Sequence, residues 1–166
     1  MVNKKNLVVA CLLIAGGIIA FSIFFQSDEA KIKKKFHALS KSIAKKTAEN
    51  ELMAAGIANK TKRLFAESCR IEIPSYSVDK TFPNNEISLN VLYARARYQK
   101  ISLEFFDFQF QFPEEGLSTV DLTAVFKAIT NLNESVFEIH ELECTLKKIE
   151  NEWLFTGIKG VNVLEK

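Results

Sequence analysis

Lys100-Ile101-Ser102-Leu103-Glu104-Phe105-Phe106-Asp107-Phe108-Gln109-Phe110-Gln111-Phe112 holds two alternating apolar series joined out of phase. Side chains of a strand alternate between its two faces, so Ile101, Leu103 and Phe105 share one side of an extended chain. Phe106, Phe108, Phe110 and Phe112 follow the opposite phase. A slip of one residue would turn the whole second set outward, and the spacing therefore predicts a long bent strand with a β-bulge at Phe105–Phe106.

Downstream of this strand the pattern continues as strand after strand. Glu114-Glu115-Gly116 makes a turn, and Val120, Leu122, Ala124, Phe126 and Ala128 alternate in the next strand. A further strand covers Ser135 to Ile149, where the apolar phase shifts from Phe137 and Ile139 to Leu142, Cys144 and Leu146. Asn151 and Glu152 then turn the chain into Trp153-Leu154-Phe155, a last strand reaching Leu164.

Upstream, Pro83-Asn84-Asn85-Glu86 starts a helix capped by Asn84 or Asn85, with Ile87, Val91, Ala94 and Tyr98 on one face. Before it, Cys69, Ile71 and Ile73 form a strand ending at Pro74, and Tyr76 to Phe82 forms a second strand or an irregular edge. Two helices come first. Ser27 caps one whose apolar stripe is Ile32, Phe36, Leu39 and Ile43. The other runs from about Ala48 to Phe65, with Gly56 weakening it or allowing close packing.

The first 25 residues have a different character. Residues 1–6 are a short basic tail, and Leu7 to Phe25 is a run of 19 uncharged residues. At about 1.5 Å per residue such a helix spans roughly 28 Å, which matches a bilayer core of about 30 Å. The run ends in bulky Ile23-Phe24-Phe25 rather than in the small residues of a cleavage site. It is expected to be a single transmembrane anchor, with residues 26–166 as one α+β domain on the periplasmic side of a bacterial inner membrane. Short basic tails before an apolar run begin signal anchors, and large domains cross largely regardless of charge.

Charge divides the domain. Residues 28–63 carry ten Lys and Arg against four Asp and Glu, whereas 64–166 carry ten against sixteen. A basic surface interleaved with aromatics is therefore lacking in the later part, and nucleic acid is not an expected partner. Lys31, Lys33, Lys34 and Lys35 follow the anchor closely and are candidates for contact with lipid headgroups. Cys69 and Cys144 sit among alternating apolar residues and are expected to be buried free thiols.

The element order is helix, helix, one or two strands, helix, then a strand-rich chain with bent strands. Together with Leu64-Phe65-Ala66, the strand Ile101–Phe112 and the closing Leu146-Lys147-Lys148-Ile149-Glu150-Asn151-Glu152-Trp153-Leu154-Phe155, it resembles the NTF2-like (nuclear transport factor 2-like, SnoaL-like) superfamily, over residues 28–165. The resemblance implies an α+β cone, in which a curved, mostly antiparallel sheet wraps a long helix and leaves a cavity. It also implies no single activity, since this fold hosts isomerases, dehydratases, cyclases, homodimers and non-catalytic binding proteins.

Within such a cone His140 is the first catalytic candidate, because imidazole titrates near neutrality. If Leu142 and Cys144 point inward, strict alternation puts Glu138 and His140 on the same inner face, where a carboxylate can orient a base. Asp107 is a further carboxylate candidate, provided that the bulge turns it inward. Tyr93, Arg97 and Tyr98 on the third helix are candidate ligand donors, Arg being the natural partner of a carboxylate. His37 lies among lysines and is read as solvated.

No paired-cysteine spacing, His-Glu-x-x-His, phosphate-cradling glycine loop or Gly-x-Ser-x-Gly elbow occurs, so neither a metal nor another cofactor is expected. The polar candidates are sparse. The expected function is a membrane-tethered binding module for an apolar small molecule or a protein partner. A His–carboxylate isomerase or dehydratase and a structural homodimer are the alternatives.

Overall fold

The computed structural model describes residues 27–46 and 51–161. The predicted anchor at 7–25 lies outside these residues, and no helix among them is long and apolar enough to cross a membrane. Residues 1–31 and the chain from Ile32 onward form separate units.

Helix α1 spans Asp28–Ile43. Its first turn is capped as expected: Ser27 Oγ accepts the Ala30 amide at 3.3 Å, and Lys31 pairs with Asp28 at 3.3 Å. In the second unit its stripe Ile32, Phe36 and Leu39 is buried. Helix α2 is Glu51–Lys62, ending before the predicted Phe65, while its predicted start at Ala48 lies outside the described residues. Phe65 already opens strand β1, Phe65–Ile73, because the Leu64 carbonyl accepts the amide of Phe155 and draws the chain into the sheet.

A short 3-10 turn, Pro74–Tyr76, leads into β2, Val78–Pro83. Helix α3 spans Asn84–Arg97. The predicted asparagine cap is absent. Pro83 occupies the capping position with extended backbone and no side-chain bond, and Asn84 is already helical. The helix buries Ile87 and Arg95, while Ala94, expected on the apolar face, is exposed. Arg95 Nη1 donates to the carbonyls of Ser42, Ile43 and Ala44, which the end of α1 leaves without helical partners.

Strands β3 (Tyr98–Glu114), β4 (Leu117–Thr130), β5 (Ser135–Ile149) and β6 (Glu152–Val161) complete a curved mixed sheet of order β2-β1-β6-β5-β4-β3. Residues 162–166, into which the last strand was expected to run, are outside those described. Among the described strands only β1 and β6 pair in parallel; the other neighbours are antiparallel.

The predicted bulge exists but sits later, between Phe106 and Gln109, with Asp107 left-handed at φ 55°. Its position settles the phase. Ile101, Phe105 and Phe110 oppose the inward Ala128, Ala124 and Val120 of β4, whereas Phe106 stays on the outer face and is 45% exposed. In β5 no break occurs, since its register with β4 is continuous from Ser135 to Lys147. The apparent phase change there arises because Phe137 and Ile139 face solvent, 61% and 56% exposed.

The inner face is closed by aromatics. Phe36 of α1 meets Phe105, Phe108 and Phe155 edge-on at centroid distances of 5.2, 5.2 and 4.9 Å. Each such pair adds about 0.5–1.5 kcal/mol beyond burial of its area. Trp153, Leu146, Val120, Cys69 and Cys144 fill the rest. Both cysteines are free and buried, as expected.

Candidate functional site

Register brings the two central candidates together. Glu138 pairs with Phe126 and His140 with Ala124, and Leu122 pairs with Leu142, so all of these side chains share the inner face. His140 Nε2 lies 3.0 Å from Glu138 Oε2. Tyr76, carried by the 3-10 turn after β1, donates its hydroxyl proton to the same carboxylate oxygen at 2.6 Å. Sequence reasoning missed Tyr76 as a site residue. Its partner is 62 residues away, and no local pattern signals which turn residue will reach across a sheet.

Electrostatics fixes the protonation of Glu138 and Tyr76. The Tyr76 hydroxyl, then His140, holds the Glu138 carboxyl below its ordinary range. The same bond to Glu138, helped by partial burial, pushes the Tyr76 phenol up to about 12. At neutral pH Glu138 is thus an acceptor and Tyr76 a donor. A carboxylate can only accept, so His140 Nε2 carries the hydrogen in that bond, leaving Nδ1 to accept one from elsewhere in the neutral ring.

These three groups form the polar corner of a cavity of about 250 Å³, otherwise lined by Ile73, Leu103, Ala124, Phe126 and Leu142. Tyr76, Glu138 and His140 are its polar lining. The carboxylate and imidazole side chains are 37% and 32% exposed, so the corner is wet.

The other candidates are placed elsewhere. Asp107 faces outward, where its carboxylate accepts from Thr123 Oγ1 at 3.4 Å, on the opposite face from His140. Tyr98 backs the cavity wall: its ring meets Phe126 edge-on at 5.9 Å, and its carbonyl accepts from Lys45. Tyr93 and Arg97 are exposed on α3, outside the cavity lining. His37 lines a separate groove between α1 and β3.

Of the four lysines after the expected anchor, Lys31 pairs with Asp28 and Lys35 with Glu152 at 2.8 Å. Lys35 holds the Glu152 carboxyl below its usual range. Lys33 lies over the Phe108 and Phe110 rings at 5.8 and 5.3 Å, and Lys34 also has an interaction partner.

Burial pushes the Cys69 thiol up to about 12 and that of Cys144 up as well, so neither is a nucleophile at neutral pH. Among the described residues no group of three or more His, Cys, Asp or Glu side chains could hold a metal ion.

No protein-family model matches the chain, and no curated protein matches it in sequence. Solved structures do resemble it. The Kfla4162 protein of Kribbella flavida has a TM-score of 0.68 at 8% identity, covering 81% of this chain and 89% of its own. A putative scytalone dehydratase of Novosphingobium aromaticivorans has a TM-score of 0.67 at 12% identity, covering 82% and 85%. An NTF2-like superfamily protein of Salmonella enterica has a TM-score of 0.61 at 12% identity, covering 81% and 89%. Likeness at such identities defines the fold alone: an NTF2-like α+β domain.

Proposed function

We propose that the domain is a non-catalytic binding module whose inner-face cavity takes a small, mainly apolar molecule carrying one hydrogen-bond donor. The observation that carries this reading is the pairing of an apolar lining with a single polar corner. Five apolar residues supply contact area, and the Tyr76–Glu138–His140 cluster leaves His140 Nδ1 to accept one hydrogen bond. Binding sites are commonly built this way, with few polar groups fixing the orientation of an apolar body.

A second reading is supported by the 3.0 Å bond between His140 and Glu138. A carboxylate that orients an imidazole favours proton abstraction, and one neighbour in fold is described as a putative scytalone dehydratase. Binding ranks first because Tyr76, the other polar lining group among the described residues, already donates to Glu138. None is left to meet negative charge developing on a substrate.

The uncharged run at 7–25 would tether this module to a membrane, with the domain on the periplasmic side. Carbonate extraction checks the tether: an anchored chain stays with the membrane pellet, and release into the supernatant sinks the idea.

Indole suits the cavity, being apolar with one N–H, and its binding to the full chain can be followed by fluorescence. His140→Phe should weaken binding roughly fivefold, the worth of one hydrogen bond. Ala124→Leu should weaken it by filling the space. Indole that binds both variants as well as the parent chain, or binds none of them, would remove the cavity from consideration. Turnover of an acidic C–H substrate that vanishes in His140→Ala would promote the second reading.

A further inference from the structure

We propose that the outer face of the sheet carries a second site, for a small organic anion with an apolar body such as an aryl or alkyl carboxylate. A groove of about 600 Å³ crosses the ends of β3, β4 and β5 there. Cross-strand pairing sets side by side the residues that build it: Lys100 opposite Ile129, Ser102 opposite Lys127, Lys127 opposite Phe137 and Ile129 opposite Ser135. Ala44–Lys46 closes one side, because the Lys45 amide and carbonyl both bond to Ile101 at 2.9 Å and extend the edge of the sheet.

The charge of this groove is one-sided. Lys45, Lys46, Lys100 and Lys127 line it, and no acidic residue does among the described residues. Lys45 Nζ is spent on the carbonyls of Arg95 and Tyr98. Lys46, Lys100 and Lys127 make no ion pair among the described residues, although the later part of the chain is acidic overall. The nearest outer-face acid in the strand, Glu104, lies beyond the lining and accepts from Ser102 Oγ at 3.3 Å. Ammonium groups of one sign around a low-dielectric floor raise the local concentration of anions.

The floor selects the rest of the ligand. Phe137 is 61% exposed, Ile129 is half-buried beside it, and Lys127 Nζ lies 5.7 Å from the Phe137 ring centroid. An inorganic ion would leave this apolar surface wet, and a neutral hydrocarbon would leave the lysines unmatched. A carboxylate on an aryl or alkyl body satisfies both, and the groove volume falls within the usual range of small-molecule sites. The site lies on the opposite face of the sheet from His140 and does not rest on the inner-face reading.

Saturation-transfer NMR on the full chain in neutral phosphatidylcholine nanodiscs, with empty discs subtracted, compares phenylacetate with the isosteric neutral phenylacetamide. Phenylacetate should bind about tenfold more tightly at low salt. Lys46→Gln, Lys100→Gln and Lys127→Gln should each weaken it about twofold to fivefold, as for exposed ion pairs, and leave phenylacetamide unchanged. Phe137→Ser should weaken both, and His140→Ala neither. Equal binding of acid and amide, or lysine variants that bind like the parent, would overturn the proposal. So would sedimentation that finds two copies paired through this face and separated by Phe137→Ser.

Discussion

Tyr76 and Glu138 are two ends of one hydrogen bond, and their opposite shifts describe it twice. Glu138 titrates below its ordinary range when folded, so its contribution to stability is present at neutral pH and is lost as pH falls through that depressed value. Tyr76 is raised from 10 to about 12, so its contribution is complete below 10 and is lost as pH rises through about 12. Tyr76→Phe should therefore flatten stability at both extremes. It should also abolish the late tyrosinate step near 12 in an ultraviolet titration, and a late step that survives would show that the bond to Glu138 is not the cause. Asp107 presents a second residue-scale test, since it holds φ 55° in the bulge. Asp107→Val should destabilise the fold by about 1–2 kcal/mol in urea, the cost of left-handed backbone for a side chain of that kind, whereas Asp107→Asn should be nearly neutral. The chain revealed that a bulge was needed but not where it sits. Phe105 and Phe106 are both phenylalanine, and the residue that accepts a positive φ is the polar Asp107 two places on.

Helix α1 owes its ending to Arg95, a residue of another helix whose partners no local pattern signals. Its charged donors satisfy carbonyls at the end of α1, and charge-assisted bonds of this kind contribute about 1.5–3 kcal/mol. Arg95→Met keeps much of the apolar stem but removes those donors, and should cost about 3 kcal/mol or more in denaturant unfolding, with α1 fraying first in hydrogen exchange. An unchanged midpoint would mean that water serves these carbonyls equally well. The β5–β6 hairpin turns through Glu150 and Asn151, at φ 49° and 67°, one residue earlier than the sequence suggested. Two consecutive left-handed residues favour Asn-Gly over Glu-Asn. Glu150→Asn combined with Asn151→Gly should raise stability by about 0.5–1 kcal/mol, and a loss would contradict this turn geometry. Strand boundaries were legible where alternation was strict, as in β4. They failed at Phe65, because long-range pairing with β6 outweighs local helical pattern.

At the level of the whole molecule, the element order, the inward phase of β4 and that of Leu142, Cys144 and Leu146 in β5 were readable because those stretches carry their own apolar alternation. The placement of Glu138 and His140 on the inner face followed from that phase, whereas Tyr76 came from a turn whose position only the assembled sheet determines. Phe137 and Ile139 misled for the opposite reason: apolar residues on a solvent face mimic a change of phase. The central claim is that His140 presents Nδ1 to a ligand while Glu138 holds Nε2. Nitrogen-15 spectra of the imidazoles test it most directly, since the chain has two histidines, His37 and His140. In the neutral His140 ring the spectra should report hydrogen on Nε2 and none on Nδ1, and added indole should shift the His140 Nδ1 resonance while leaving His37 in place. A His140 ring protonated on Nδ1, or one whose nitrogens ignore indole that is demonstrably bound, would contradict the account.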